Sequence, residues 1–202
     1  MIQIQIWGDF ECPYSYFQTI VLKKLKAEYG QRIEILWKAF ELSTIEGKLP
    51  PSESYISSFE MAKEEPIVAE KGLNLLIPKF LTCTRFAQES VYLANHQGLS
   101  IDLAIGLFEA FFLQGVDIGD KEIVMSVASK SGIDSQLLKK ALDNSELTKD
   151  MRADEYEFET YGFKGLPAML IGERNFSPKS FMPINGYKTY DELTEILESF
   201  NI

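Results

Sequence analysis

The chain has 202 residues, 46% of them hydrophobic and 12% aromatic, ample for one generous domain or a small domain with a large insertion, and too apolar for a disordered chain. Its net charge of −10 at pH 7, with no basic cluster to displace counterions, excludes a nucleic-acid surface. With a single histidine, His96, and two cysteines, Cys12 and Cys83, Cys and His cannot supply the four ligands of a structural zinc site.

No apolar run reaches membrane-spanning length, and the start "MIQIQIWGDF" lacks the basic residues and long apolar stretch of a secretory signal. The expectation is a soluble, cytoplasmic protein. Two cysteines in such a chain are not a disulfide framework, so if sulfur matters it matters as chemistry. Acidic runs such as "MRADEYEFE" and "EMAKEEP" read as solvated helix faces.

In chain order, "IQIQIW" alternates apolar and polar residues and predicts a strand from Ile2 to Trp7. Gly8-Asp9 breaks it. A helix follows from Pro13 to Tyr29, with Phe17, Ile20, Val21 and Leu25 on one stripe and Gly30 as its stop. "RIEILWKAF" alternates again, placing Ile33, Ile35 and Trp37 on one face of a second strand parallel to the first.

From Glu41 to Ser145 the period turns helical and stays so, with "LPPSES" as the best candidate linker. Ala87, Val91 and Ala94 share a helix face, and His96 sits at that helix's end before Gly98. Next comes a helix with Ser100 as N-cap, a stripe of Ala104, Leu107, Phe108 and Phe111, and Gly115 as its stop. Further helices run from Asp120 to Gly132 and from Asp134. After a helix over Glu146 to Tyr161, "GLPAMLIG" predicts a turn and a short strand, and "KSFMPING" its antiparallel neighbour. A terminal helix places Leu193, Ile196 and Leu197 inward. Two sheet-forming halves interrupted by helices imply an α/β fold, with a sheet domain over residues 1–42 and 146–202 and an all-helical insertion over 43–145.

The chemistry concentrates in "DFECPYSYF". A strand runs into a helix whose first turn holds Cys12-Pro13-Tyr14-Ser15. The first N–H groups of a helix lack internal partners and carry partial positive charge, which favours a thiolate, the attacking species. Pro13 suits a first turn, and Ser15 can offer its hydroxyl to the sulfur. The expectation is a partly exposed Cys12 more acidic than a free cysteine, unless Glu11 lies close enough to raise it. The second piece is "GLP", residues 165–167, where Pro167 belongs at the start of a buried strand.

These residues together resemble the DsbA-like thioredoxin-fold superfamily. More narrowly the chain resembles the FrnE-type branch of dithiol-disulfide isomerases, which neighbours kappa-class glutathione transferases and 2-hydroxychromene-2-carboxylate isomerases. The resemblance covers nearly the whole chain, through "DFECPYSYF", "LWKAFEL", "LFEAFFLQGVDIGD", "VASKSGID" and "MRADEYEFETYGFKGLPAMLIG" in order. It implies a thioredoxin-like fold, a central mixed sheet with flanking helices, carrying a large all-helical insertion. It further implies that Cys12 is the nucleophile, that Pro167 is cis and packs against its sulfur, and that Leu166 pairs with the backbone of a bound thiol. Pro13 and Tyr14 would then line the thiol site.

Departures from the pattern matter. The FrnE branch carries C-P-W-C where this chain has Ser15, and the transferase and isomerase relatives carry Ser where this chain has Cys12. At the start of the insertion, relatives show Asn-Ser or Asn-Thr before a helix with Ala-His, whereas this chain has Cys83-Thr84 and then Ala87-Gln88.

A lone Cys12 can form a mixed disulfide with a protein or small-thiol substrate, but no second sulfur at residue 15 can release it. Release would fall to an external thiol such as glutathione, or to Cys83 as a resolving thiol, if it is more than a small buried filler. The leading expectation is therefore a monothiol thiol-disulfide oxidoreductase or isomerase with no bound cofactor or metal. The alternatives are a glutathione-dependent transferase or isomerase, and a non-catalytic binding module. An iron–sulfur cluster between two Cys12 thiolates and two glutathiones is a lesser alternative that nothing in the residues demands.

Overall fold

The computed structural model describes residues 1–202. The chain opens with strand β1 (Ile2–Gly8), helix α1 (Pro13–Tyr29) and strand β2 (Ile33–Ala39). The connecting segment holds β3 (Lys48–Leu49), α2 (Glu53–Lys63), α3 (Pro66–Lys71) and β4 (Leu81–Thr82). Helices α4 (Arg85–Asn95), α5 (Ser100–Phe112), α6 (Lys121–Lys130) and α7 (Ser135–Asp143) follow. Helix α8 (Thr148–Thr160), strands β5 (Ala168–Glu173) and β6 (Met182–Asn185), and helix α9 (Tyr190–Glu198) complete it.

The main sheet has the order β2-β1-β5-β6. β1 and β2 are parallel, with Ile2 opposite Ile33 and Gly8 opposite Ala39, as a helical crossover requires. β5 is antiparallel to β1, and β6 to β5. The two ends of the sequence therefore meet at β1, which is central and buried on both faces. This is a DsbA-like thioredoxin fold, a mixed sheet flanked by helices with a long helical segment between its halves.

The period-two pattern sorts the strand residues between two apolar layers. Ile2, Ile4, Ile6, Ile33, Ile35, Trp37, Met169 and Ile171 belong to the larger core, together with residues of α1, α4, α5 and α9. Trp7, Ala168 and Leu170 face the other way onto Phe158, Phe163 and Phe181. The larger core runs without a break from the sheet into the helical segment. Phe10 stacks on Trp37 at 5.3 Å and meets Phe108 at 4.8 Å, while Tyr16 stacks on Phe108 at 5.2 Å.

Helix α1 follows from its sequence: Pro13 occupies the first helical position, Phe17, Val21, Leu22 and Leu25 are buried, and Gly30 ends it at φ +57°. The α5 stripe of Ala104, Leu107, Phe108 and Phe111 is buried. Asp120 and Asp134 cap α6 and α7 through side-chain bonds to the second and third helical N–H groups.

Four expectations need correction. The stretch over 41–145 is not wholly helical, because Lys48-Leu49 and Leu81-Thr82 pair as a two-stranded antiparallel ribbon. "LPPSES" is no linker: Leu49 ends β3, and Ser52 caps α2 by accepting the Tyr55 N–H. Ser100 is the first helical residue of α5, and Leu99 is its cap. The acidic run on α8 is not all solvated. Asp154 is 3% exposed, pairs with Lys38 at 2.5 Å, accepts the Ala39 N–H at 3.1 Å, and its carbonyl takes the Trp7 indole N–H at 2.8 Å. A periodicity reading misses this because the ring and charge partners lie more than 100 residues away in sequence.

Candidate active site

The turn between β1 and α1 is held from below. Phe10 is fully buried between Trp37 and Phe108, an anchor of about 2–3 kcal/mol. Gly8 is required by close approach, since a Cβ there would lie 2.7 Å from the Trp37 ring and 3.3 Å from the Ser15 Cβ. Cys12 is the N-cap of α1, with extended backbone (φ −97°, ψ 112°), and its carbonyl accepts the N–H groups of Ser15 and Tyr16 at 3.1 and 3.3 Å.

Cys12 is half-buried as a residue, and its thiol donates to the carbonyl of Leu166 at 3.7 Å. The Leu166–Pro167 peptide is cis, and the Pro167 carbonyl accepts the Gly186 N–H at 2.9 Å, which fixes that loop against the end of β6. Ser15 is fully buried beneath the thiol, its hydroxyl accepting the Asp9 N–H at 3.4 Å. Tyr14 is half-buried, packed edge-on to Phe17 and tilted against Tyr187 at 6.4 Å. The Leu166 carbonyl, the Ser15 hydroxyl and the N–H groups of Ser15 and Tyr14 thus meet the Cys12 sulfur, with Pro13 and Pro167 next to them in the chain.

The expected acidity is not found. Burial pushes the Cys12 thiol above its ordinary range, and the Asp9 carboxylate adds to this. The Ser15 hydroxyl and the N–H groups of Ser15 and Tyr14 oppose it without prevailing. The Leu166 carbonyl works in the same direction as burial, because a carbonyl oxygen accepts from S–H and repels S⁻. Glu11 is not the culprit the sequence suggests. Its side chain turns away, taking the Thr82 N–H on one oxygen and the Ser43 hydroxyl on the other.

Sequence reasoning missed the layer that holds this turn. Asp9 is fully buried and accepts from the Glu11 N–H at 2.7 Å, the Leu42 N–H at 2.9 Å and the Thr84 hydroxyl at 2.9 Å. Gln88 donates to the carbonyls of Gly8 and Phe40 at 2.9 and 2.8 Å and accepts the Trp37 indole N–H at 2.8 Å. Burial lifts Asp9 to about 6, and burial with the neighbouring Asp9 charge lifts Glu11 to about 7. The available signal was a carboxylate on either side of Phe10, in a turn too apolar to be solvated.

Cys83 lies between Thr82 and Thr84, which grip Glu11 and Asp9, but its own thiol leaves that turn and donates to the Glu41 carboxylate at 3.6 Å. Both cysteines are free. His96 is exposed at the end of α4, edge-on to Tyr92. No group of three or more His, Cys, Asp or Glu is placed to hold a metal, and no helix is long and apolar enough to cross a membrane.

The chain matches the family model of the DSBA-like thioredoxin domain over residues 3–198. It is 23% identical over 180 residues to the protein YwbO of Bacillus subtilis (strain 168), covering 85% of this chain and 88% of that protein. Among solved structures it is similar to a probable DsbA oxidoreductase of Streptomyces coelicolor, with TM-score 0.78 and 19% identity over 98% of this chain and 89% of that one. It is also similar to the cytosolic disulfide reductase DsbM of Pseudomonas aeruginosa (TM-score 0.76, 10% identity, 98% of both chains). A 2-hydroxychromene-2-carboxylate isomerase aligns with TM-score 0.72 and 18% identity over 98% of this chain and 94% of that one. With the family match spanning sheet and helical segment alike, the chain belongs to the DSBA-like thioredoxin domain family, whose fold brings Cys12 against the Leu166–Pro167 peptide.

Proposed function

We propose that this protein is a thiol-disulfide oxidoreductase or isomerase that works through one thiol, Cys12. The observation that carries the reading is the placement of Cys12 Sγ against the carbonyl of Leu166, at a helix N-terminus, with Ser15 where a resolving sulfur would stand. Cys12 attacks one sulfur of a substrate disulfide and expels the other as a thiol. An external low-molecular-weight thiol, glutathione or a chemical equivalent, then attacks the mixed disulfide and restores Cys12. The Pseudomonas neighbour is also solved with GSH, and its description as cytosolic supports a cytoplasmic setting for this chain.

The raised Cys12 value shapes the mechanism. At rest the thiol is protonated and rests on Leu166. A substrate backbone N–H that pairs with the Leu166 carbonyl takes over that acceptor, and the sulfur turns to the N–H groups of Ser15 and Tyr14 and the Ser15 hydroxyl. Those donors favour the thiolate, so the nucleophile forms when a substrate docks. Tyr14, Pro13 and Pro167 wall the site.

The protonated thiol also favours a second reading, a glutathione-dependent transferase or isomerase in which Cys12 or Ser15 donates to a bound glutathione sulfur. The two are separated by glutathione-dependent reduction of a glutathionylated peptide with wild type and Cys12→Ser. The oxidoreductase reading expects turnover with wild type and none with the variant. Conversion of an electrophile by both proteins, without a Cys12 adduct, would establish the transferase reading instead.

A further inference from the structure

Gln18 lies on α1, one helical turn beyond Tyr14, and is fully buried. A buried glutamine is uncommon, because its amide leaves water and must then find partners for an oxygen and an NH2 group. Here only the oxygen is served. Oε1 accepts the Lys188 N–H at 2.8 Å, and Nε2 meets no acceptor of the protein, alone among the buried side-chain nitrogen and oxygen atoms. The Lys188 donor fixes this orientation, since a turned amide would set two donors face to face. An amide with half of its bonds made adds little to stability, because the unmade half offsets what the made half contributes. A methionine would fill the same space without that loss. Gln18 is therefore explained by what its one bond holds.

That bond ends in a short segment with further ties to the active site. Strand β6 stops at Asn185, and Gly186 turns the chain away at φ +74° toward α9. The Gly186 N–H donates to the Pro167 carbonyl at 2.9 Å. The Tyr187 ring packs on Phe17 at 6.0 Å and on Tyr14 at 6.4 Å. Beyond Gly186 the segment has no strand partner, and the Gln18 oxygen joins it to α1. One side chain of the nucleophile's helix thus holds the segment that meets both the cis-proline loop and the ring beside the thiol.

We propose that Gln18 is a positioning residue for the substrate-binding backbone. Through Lys188 it fixes Gly186–Lys188, and this segment sets the Leu166–Pro167 peptide and the Tyr187–Tyr14 wall where a docked substrate needs them. The inference rests on the oxidoreductase reading above. Because Gln18 acts on the walls and not on the sulfur, its loss weakens substrate binding and leaves the thiol's own reactivity in place.

The test compares wild type, Gln18→Met and Gln18→Glu in the full chain. Methionine keeps the volume and removes the Lys188 bond, whereas glutamate keeps an oxygen for it. The measurements are glutathione-dependent reduction of a glutathionylated peptide, iodoacetamide alkylation of Cys12, hydrogen exchange of the Gly186 amide, and the urea midpoint. For Gln18→Met the expected KM is at least about fivefold higher with kcat within about twofold, the size and pattern of one lost hydrogen bond that acts on binding. Alkylation and the urea midpoint should hold, and the Gly186 amide should exchange about tenfold faster as its segment opens locally. Gln18→Glu should recover most of the wild-type KM.

An unmoved KM, an unmoved Gly186 amide, or a Gln18→Glu variant no better than Gln18→Met would overturn the proposal. Alkylation and urea midpoint falling in step with the KM change would also overturn it, by making Gln18 a support of the whole fold. A wild type that turns over no peptide is a different result: it would sink the oxidoreductase reading, and this inference with it.

Discussion

Cys12 and Cys83 stand at similar addresses. Cys12 caps α1, and Cys83 precedes Thr84, the cap of α4. Both follow a strand of the chain, and burial raises both thiols above the ordinary range. They differ in what the sulfur meets. Cys12 faces a backbone carbonyl in the cis-proline loop, the acceptor that a substrate takes over in the proposed mechanism, whereas Cys83 faces the carboxylate of Glu41. The comparison teaches that a helix N-terminus does not by itself make a thiol acidic. Desolvation and the nearest acceptor decide the resting state, and the proposed mechanism turns on an acceptor that can be displaced at Cys12.

The widest separation of the two is expected from their removal. Cys12→Ser should abolish mixed-disulfide exchange, a loss of about 10³-fold or more since no other group can carry the covalent step. Cys83→Ser should leave the exchange rate within about twofold, because surface-side changes away from the reacting atoms rarely matter more. Initial rates with a glutathionylated peptide check both. Comparable losses in the two variants would make Cys83 the resolving thiol of the cycle.

Gln88→Leu should disturb both turns together. It leaves the Trp37 indole N–H and the Gly8 and Phe40 carbonyls unpaired in a buried place, at a cost of about 3 kcal/mol from several groups losing partners worth about 1–3 each. Urea unfolding with an unchanged m-value would measure it. A cost under about 0.5 kcal/mol, the range of neutral surface changes, would mean that Gln88 does not tie α4 to the active-site turn.

The carboxylates shared between the two turns give a pH dependence. Asp9 is lifted to about 6, and Glu11 and Glu41 to about 7, from ordinary values of 3.8 and 4.5, all chiefly by burial. Each of these folded carboxyls holds its proton at a pH where the unfolded chain has lost it. The native state therefore binds more protons between about pH 4 and pH 7, and stability must rise as pH falls through that window. Denaturant midpoints at pH 8, 7, 6 and 5 should climb in that order, and Glu11→Gln should flatten the climb. A midpoint that falls from pH 8 to pH 6 would contradict the burial of these groups.

The smallest effect is expected at Ser15. Ser15→Ala removes one donor that favours the Cys12 thiolate, so the pH midpoint of iodoacetamide alkylation should move further above the free-thiol value of about 8.5. A downward movement would show that the hydroxyl opposes ionisation.

Strand periodicity in "IQIQIW" and "RIEILWKAF", the Phe108 stripe and the helix starts at Asp120 and Asp134 are local signals, and the fold follows them. The cluster of Cys12, Ser15, Leu166 and Pro167 was legible because motif chemistry is local at each half and the family order joins the halves. What stayed hidden was non-local. Asp9 is buried against Thr84, Gln88 holds Gly8 from 80 residues away, and Asp154 pairs with Lys38 across the sheet. The acidity of Cys12 was misjudged for the same reason. The helix N-terminus is written in the sequence, whereas the burial that outweighs it arises from the whole fold.

The most direct test of the account is intact mass with peptide mapping of the unaltered protein after incubation with oxidised glutathione. The account predicts a single glutathione on Cys12, none on Cys83, and full removal of the adduct by added glutathione. An internal Cys12–Cys83 disulfide, or a Cys12 that stays unmodified while the protein turns over its substrate, would contradict it.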